Sequence, residues 1–155
     1  MKLTTAVLAA GAAVSIATTV VGVARLRQDA RHQVERNEVA AARNQIDWLE
    51  KAATNPDLAE LWKPEDMEVE EYMSLLAANQ LICALSLRDR LGLVREGCLP
   101  FLAEMAMSYK VCQRYWDKYG QLRAEEAAGD ARAERFTRVL DQAARASREA
   151  QPAAA

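Results

Sequence analysis

The stretch "YMSLLAANQLICALSL", Tyr72 to Leu87, is the most apolar part of the chain beyond its N-terminal segment, and its reading decides the fold. No Gly or Pro interrupts it. The acids of "PEDMEVEE" just before it suit the first turn of a helix, whose dipole favours negative charge there, and Gly92 after it supplies a stop. The pattern predicts a helix from about Asp66 to Leu91, apolar enough to be the central helix of a domain. At about 100° per residue, Tyr72, Leu76, Asn79, Cys83, Ser86 and Arg90 share one side, so polar groups interrupt an apolar surface. A buried Asn79 amide then needs a hydrogen-bond partner on another helix. The alternative is that these polar groups line a pocket.

The sequence on either side repeats the helical theme. With 31 Ala against 6 Gly and 4 Pro, the 155 residues favour helix throughout, and the expected fold class is all-α. Upstream, Val39, Ala42, Ile46, Leu49 and Ala53 recur at steps of three and four and give one apolar helical stripe. Val39, Ile46 and Leu49 on that stripe form a candidate docking face. Asn55 can cap a short helix with Pro56 in its first turn, and Pro64 closes it or opens the next. Downstream of Gly97 and Pro100, Phe101, Met105, Tyr109, Cys112, Trp116 and Tyr119 fall on a single face if one helix runs to Gly120. Ser108 could instead split that stripe by capping a second helix. A last helix begins at Asp130 and buries Phe136, Val139, Leu140 and Ala143. Its Glu134 with Arg138, and its Asp141 with Arg145, are spaced as surface ion pairs. The bundle should hold about four to five helices.

The N-terminal run "TTAVLAAGAAVSIATTVVGVA", Thr4 to Ala24, is 21 residues without a charge, enough to cross a bilayer as helix. A cleaved secretory signal is the competing reading, with Lys2 as its basic start and small residues at the cut. Arg25, Arg27, Arg31 and Arg36 follow the run directly, and basic flanks stay on the cytoplasmic side. Three cysteines without framework spacing, Cys83, Cys98 and Cys112, suit a reducing compartment. The expected order is a tail and membrane-spanning helix at 1–24, a charged helical stalk at 25–38, a cytoplasmic helical domain at 39–145 and a disordered tail at 146–155. Small residues four apart in the span, Ala9, Ala13 and Ala17 among them, would let two copies approach closely.

Catalytic patterns are not apparent. The one histidine, His32, sits in the stalk with Asp29 and Glu35 at three-residue spacing and without a second histidine to complete a metal set. The cysteines lack CxxC spacing, and no glycine-rich phosphate loop occurs. No cofactor or metal is therefore expected. Acids exceed bases by 22 to 20, which argues against nucleic acid as a partner.

The run "RNQIDWLEKAATNPDLAELWKPEDMEVEEYMSLLAANQLICALSLRDRLGL", with "YWDKYGQLR" after it and the apolar segment before it, resembles a family of small actinobacterial proteins that carry only a domain-of-unknown-function label. The resemblance implies one membrane helix with a helical cytoplasmic domain, and it implies no catalytic residue, cofactor or substrate. Two functional expectations follow. The first is a non-catalytic protein that docks a protein partner, or a second copy of itself, at the inner face of the membrane. The second is a ligand sensor or enzyme with a pocket between the Asn79 and Trp116 helices, lined by Asn79, Arg90, Tyr115 or Trp116. The aromatic, Met and Cys side chains of the Phe101 to Tyr119 stripe could themselves hold a ligand, with Lys110 and Arg114 close enough to bind its acid group, although a packed core is the simpler reading of that stripe.

The orientation is testable directly. A reporter fused after Ala155 is expected to be active in the cytoplasm and inactive outside it, with an intact N-terminus by mass spectrometry. Outward activity, or a mature chain beginning at Thr18 or Arg25, would reverse that reading.

Overall fold

A computed structural model describes residues 28–29, 32–34 and 36–150. The chain divides into two units, 1–41 and 42–155. In the first unit the described residues are helical, and 32–34 are exposed. Residues 4–24, on which the membrane reading rests, lie outside the described residues, as do Glu35 and 151–155. Among the described residues no helix is long and apolar enough to cross a membrane.

The second unit is all-α. Its helices are α1 (42–54), α2 (Pro56–Trp62), α3 (Val69–Arg90), α4 (Leu99–Met107), α5 (Lys110–Ala127) and α6 (Ala131–Ala150). Local chemistry sets their ends. The Asn55 side chain accepts a hydrogen bond from the Leu58 amide at 3.1 Å, with Pro56 in the first turn, and this starts α2. Gly92, at φ 69°, lets the Leu93 amide reach back to the Arg88 carbonyl at 2.9 Å and closes α3. Asp130 accepts from the amides of Arg132 and Ala133 at 3.0 and 3.2 Å to open α6, and Glu134 reaches back to the Gly129 amide at 2.9 Å. Those amide bonds hold the Asp130 carboxyl below the usual carboxylate range. Glu134 is thus a cap rather than the surface partner expected for Arg138, whereas Asp141 and Arg145 do pair, at 2.7 Å.

As its composition requires, α3 is central: it packs on α2, α4, α5 and α6, while α4, α5 and α6 also pack on one another. Leu75, Ala78, Ile82 and Leu85 of α3 meet Ala103 and Met107 of α4, Cys112, Tyr115 and Trp116 of α5, and Phe136 and Leu140 of α6 in one core. A smaller cluster joins Leu49 and Ala52 of α1 to Leu76 of α3. One charge is drawn into the packed region. Asp89 near the end of α3 is buried and receives Arg135 of α6 on both carboxylate oxygens, at 2.9 and 2.8 Å.

Four expectations are corrected here. The helix after Pro100 is broken at Ser108, whose hydroxyl donates to the Met105 carbonyl at 2.7 Å, so Ser108 ends α4 and does not cap α5. Because Glu104 is the one polar residue of α4 and leaves its apolar phase weakly marked, the stripe chose the wrong face for it: Phe101, Met105 and Tyr109 are exposed, and Leu99, Ala103, Ala106 and Met107 are buried. Gly120 does not stop α5 either. A Cβ at that position would lie 3.0 Å from the Trp116 indole nitrogen, so the residue is Gly to make room for a ring in its own helix. Finally, α6 runs past Arg145 to Ala150, because Ser147 donates to the Met107 carbonyl at 3.1 Å and receives Gln113 at 2.7 Å.

The split stripe makes a sharp contrast. Trp116→Ala, at a ring only 5% exposed, is expected to cost about 3 to 5 kcal/mol in urea unfolding. Phe101→Ala, at a side chain 65% exposed, should stay within about 0.5 kcal/mol. Equal costs would restore the single-face reading.

Candidate functional site

The side of α3 that carries Asn79 faces α1 and α5 across a cleft of about 320 Å³. Its apolar wall is Trp48 and Leu49 of α1, Leu75 and Leu76 of α3, and Leu122 of α5. The polar wall is built by Asn79, Tyr115 and Arg123, with Gln45, Tyr72, Tyr119 and Glu126 completing the lining. Helical spacing brings these groups together. Tyr115, Tyr119, Arg123 and Glu126 follow at steps of four, four and three on α5, just as Tyr72, Leu76 and Asn79 do at four and three on α3.

The polar wall is a closed network. Tyr115 donates its hydroxyl to Asn79 Oδ1 at 2.9 Å and accepts from Arg123 Nε at 3.1 Å. Arg123 Nη2 donates to Asn79 Oδ1 at 2.6 Å and to Cys83 Sγ at 3.0 Å, and the Cys83 thiol donates to the same Asn79 oxygen at 3.4 Å. Nη1 of Arg123 reaches Glu126 Oε2 at 3.2 Å, among the described residues the one carboxylate on this cation and a largely solvated one. Burial opposes the Arg123 charge, yet Cys83 and Tyr115 hold its pKa above the ordinary arginine value. Burial likewise pushes the Tyr115 hydroxyl up, against a partial pull downward from Arg123. Tyr72 is raised too, by burial first and by Tyr119 second.

Some donors remain for a guest. Asn79 Oδ1 is filled, but among the described residues its Nδ2 has no hydrogen-bond partner, and no buried side-chain nitrogen or oxygen is left unsatisfied, so this amide nitrogen is reachable from solvent. The hydroxyl groups of Tyr72 and Tyr119 are in the same position. Such a site can hold a small molecule with an acceptor at one end and an apolar body.

Of the residues expected to line a pocket, Asn79 and Tyr115 meet here. Trp116 does not: its indole turns to a second cleft of about 350 Å³ between α5 and α6, where its nitrogen lies 3.4 Å from Asp141 Oδ1. Arg90 ends α3 elsewhere and pairs with Asp130 at 3.3 Å. Lys110 and Arg114 are exposed on α5, outside the lining of the cleft. Arg123 is the basic side chain that lines the cleft, and the sequence does not point to it because Gly120, three residues before it, reads as a helix end. On the docking stripe, Val39 falls in the first unit, Ile46 is half-buried, and Leu49 is enclosed at 2% exposure, which leaves it no surface to offer. Cys83, Cys98 and Cys112 are free thiols, and burial raises the pKa of Cys112. Among the described residues no group of three His, Cys, Asp or Glu could hold a metal ion.

The model of one family matches residues 2–155, which is nearly the whole chain. This protein belongs to the family of unknown function DUF6082. No curated protein and no solved structure matches it. Membership therefore supplies a lineage for the helical bundle and no chemistry for the cleft of this DUF6082 protein.

The network makes two measurable demands. Tyr115→Phe leaves Arg123 Nε without its acceptor and should cost about 1 to 3 kcal/mol. Because the folded-state pKa values of Tyr115 and Cys112 lie above their ordinary 10.0 and 9.0, both groups add stability below those values and lose it as pH rises through the folded ones. Unfolding free energy should fall above pH 9 and fall less steeply in Tyr115→Phe, as urea titrations across that range would read.

Proposed function

We propose that this protein is a binding module: its helical domain takes a small molecule into the cleft between α1, α3 and α5, while residues 4–24 hold the chain in a membrane with the domain on the cytoplasmic side. The convergence of Asn79, Tyr115 and Arg123 on one wall of a 320 Å³ cleft, opposite Trp48 and Leu122, carries the reading. Small-molecule sites have this form, apolar walls with a few converging polar groups, and volumes from about 300 Å³ upward. Binding is favoured over turnover because Asn79, Cys83, Tyr115 and Arg123 are committed to one another, an arrangement that fixes donors in place rather than passing a proton. The membrane part rests on the uncharged Thr4 to Ala24 run and the arginines that follow it.

A second reading, docking of a protein partner at the membrane face, has its own support. Leu61 and Trp62 at the end of α2 are 78% and 60% exposed, and Trp62 meets Trp48 edge to face at 6.0 Å. Aromatic side chains of this kind anchor protein interfaces. The surface it would use is α2, not the Val39 to Leu49 stripe.

Ligand binding to the folded state raises the melting temperature, by about 2.7 kcal/mol of added stability at a hundredfold excess over Kd. A thermal-shift screen of the full chain against chemically varied metabolites should give stabilising compounds. Leu122→Trp, at an exposed residue on the cleft wall, should fill the cleft and abolish those shifts without lowering the unliganded melting point. Shifts that survive Leu122→Trp, or none at all, would favour the docking reading.

A further inference from the structure

Among the described residues Arg123 is the only cation on the cleft wall, and its surroundings narrow what it can recognise. Its Nε and Nη2 donors are engaged by Tyr115, Asn79 and Cys83, which leaves Nη1 facing Glu126 at 3.2 Å. The Glu126 side chain is 55% exposed and three residues along the same helix, so it is a weak, screened partner that can move into water. Asn79 Nδ2 and the hydroxyl groups of Tyr72 and Tyr119 add donors to the same cleft. A guest bearing an acid group would replace Glu126 on Nη1 and gain those donors, exchanging one carboxylate for another without leaving a charge unpaired.

The rest of the cleft specifies the body of the guest. The rings of Trp48, Tyr72 and Tyr119 with the aliphatic Leu75, Leu76 and Leu122 suit a flat apolar group. Polyanions are disfavoured. One cation serves the site, Glu126 already offsets it, and the chain has a net charge of −2.

We infer that the cleft between α1, α3 and α5 binds a small aromatic monocarboxylate, its carboxylate displacing Glu126 from Arg123 and its ring lying against Trp48 and Leu122. The inference rests on the small-molecule reading of the cleft, and it names the ligand class that reading leaves open.

The test uses the full chain, ¹⁵N-labelled and held in a non-ionic detergent, titrated with 2-naphthoate and separately with 2-naphthamide, its neutral isostere. The side-chain amide of Asn79 and the indole N–H of Trp48 report occupancy. Because the neutral amide partitions into micelles more readily than the anion, a preference for naphthoate cannot come from the detergent. Naphthoate should shift both signals and bind about tenfold or more tighter than naphthamide, as a charge-assisted hydrogen bond implies. Glu126→Gln removes the competing carboxylate from an exposed position, so the fold is kept, and naphthoate should bind about two- to fivefold tighter. Arg123→Gln, with folding checked by circular dichroism, should erase the preference. Equal binding of the two probes, or naphthoate affinity unmoved by Glu126→Gln, overturns the carboxylate assignment and leaves the cleft as a site for neutral guests. Shifts from neither probe overturn the assignment and the small-molecule reading together.

Discussion

The half-buried position of one guanidinium group constrains the rest of this bundle. Arg123 sits on α5 with most of its donors turned inward, and an inward cation is tolerable only where acceptors meet it. Asn79 and Cys83 of α3 and Tyr115 of α5 supply them. Since those partners are spread over two helices, the network fixes the register of α5 against α3 more narrowly than apolar packing would. Aliphatic contacts slide at little cost, whereas leaving this cation short of one hydrogen-bond partner costs about 1 to 3 kcal/mol. The polar interruptions on the α3 surface are the price of that register.

The same helix must satisfy two neighbours, and its sequence shows how. Toward α3 and α1 it presents Tyr115, Tyr119 and Arg123, and toward α6 it presents Trp116. Adjacent positions on a helix point about 100° apart, so Tyr115 and Trp116 belong to different interfaces. Gly120 suits the position one turn beyond Trp116, because a Cβ there would press on the indole nitrogen at 3.0 Å. A glycine in mid-helix weakens it by about 1 kcal/mol relative to alanine, a loss that burial of a tryptophan outweighs.

These same features explain what could be read from sequence. The all-α class, the central place of α3, the cap at Asn55 and the stop at Gly92 are local, set by spacing and by a few residues with special backbone or side-chain chemistry. Asn79 stood out for the same reason, as an amide on an apolar side. Its partner did not, because a hydrogen bond between residues 79 and 123 depends on how two helices face each other, which no spacing along one helix encodes. Gly120 misled by obeying a local rule at a position where tertiary packing sets the residue. On α4 the failure differed in kind: a short helix with Glu104 as its one polar residue has little phase to read, and its neighbours decide that Met107 goes in and Phe101 stays out.

The cleft also has an uneven frame, and that bears on what a guest would do. Its α3 and α5 walls belong to the main core and are tied by the Asn79, Tyr115 and Arg123 bonds. On the α1 wall only Leu49 and Ala52 are buried among residues 42–54, and both lie in the smaller cluster around Leu76. Elements with little buried apolar surface open at lower free energy than the core they lean on. A molecule lying between Trp48 and Leu122 would add contacts mainly to this weaker wall. Occupancy would thus be felt as tighter seating of α1, since the two core helices are already fixed by the network that the guest meets.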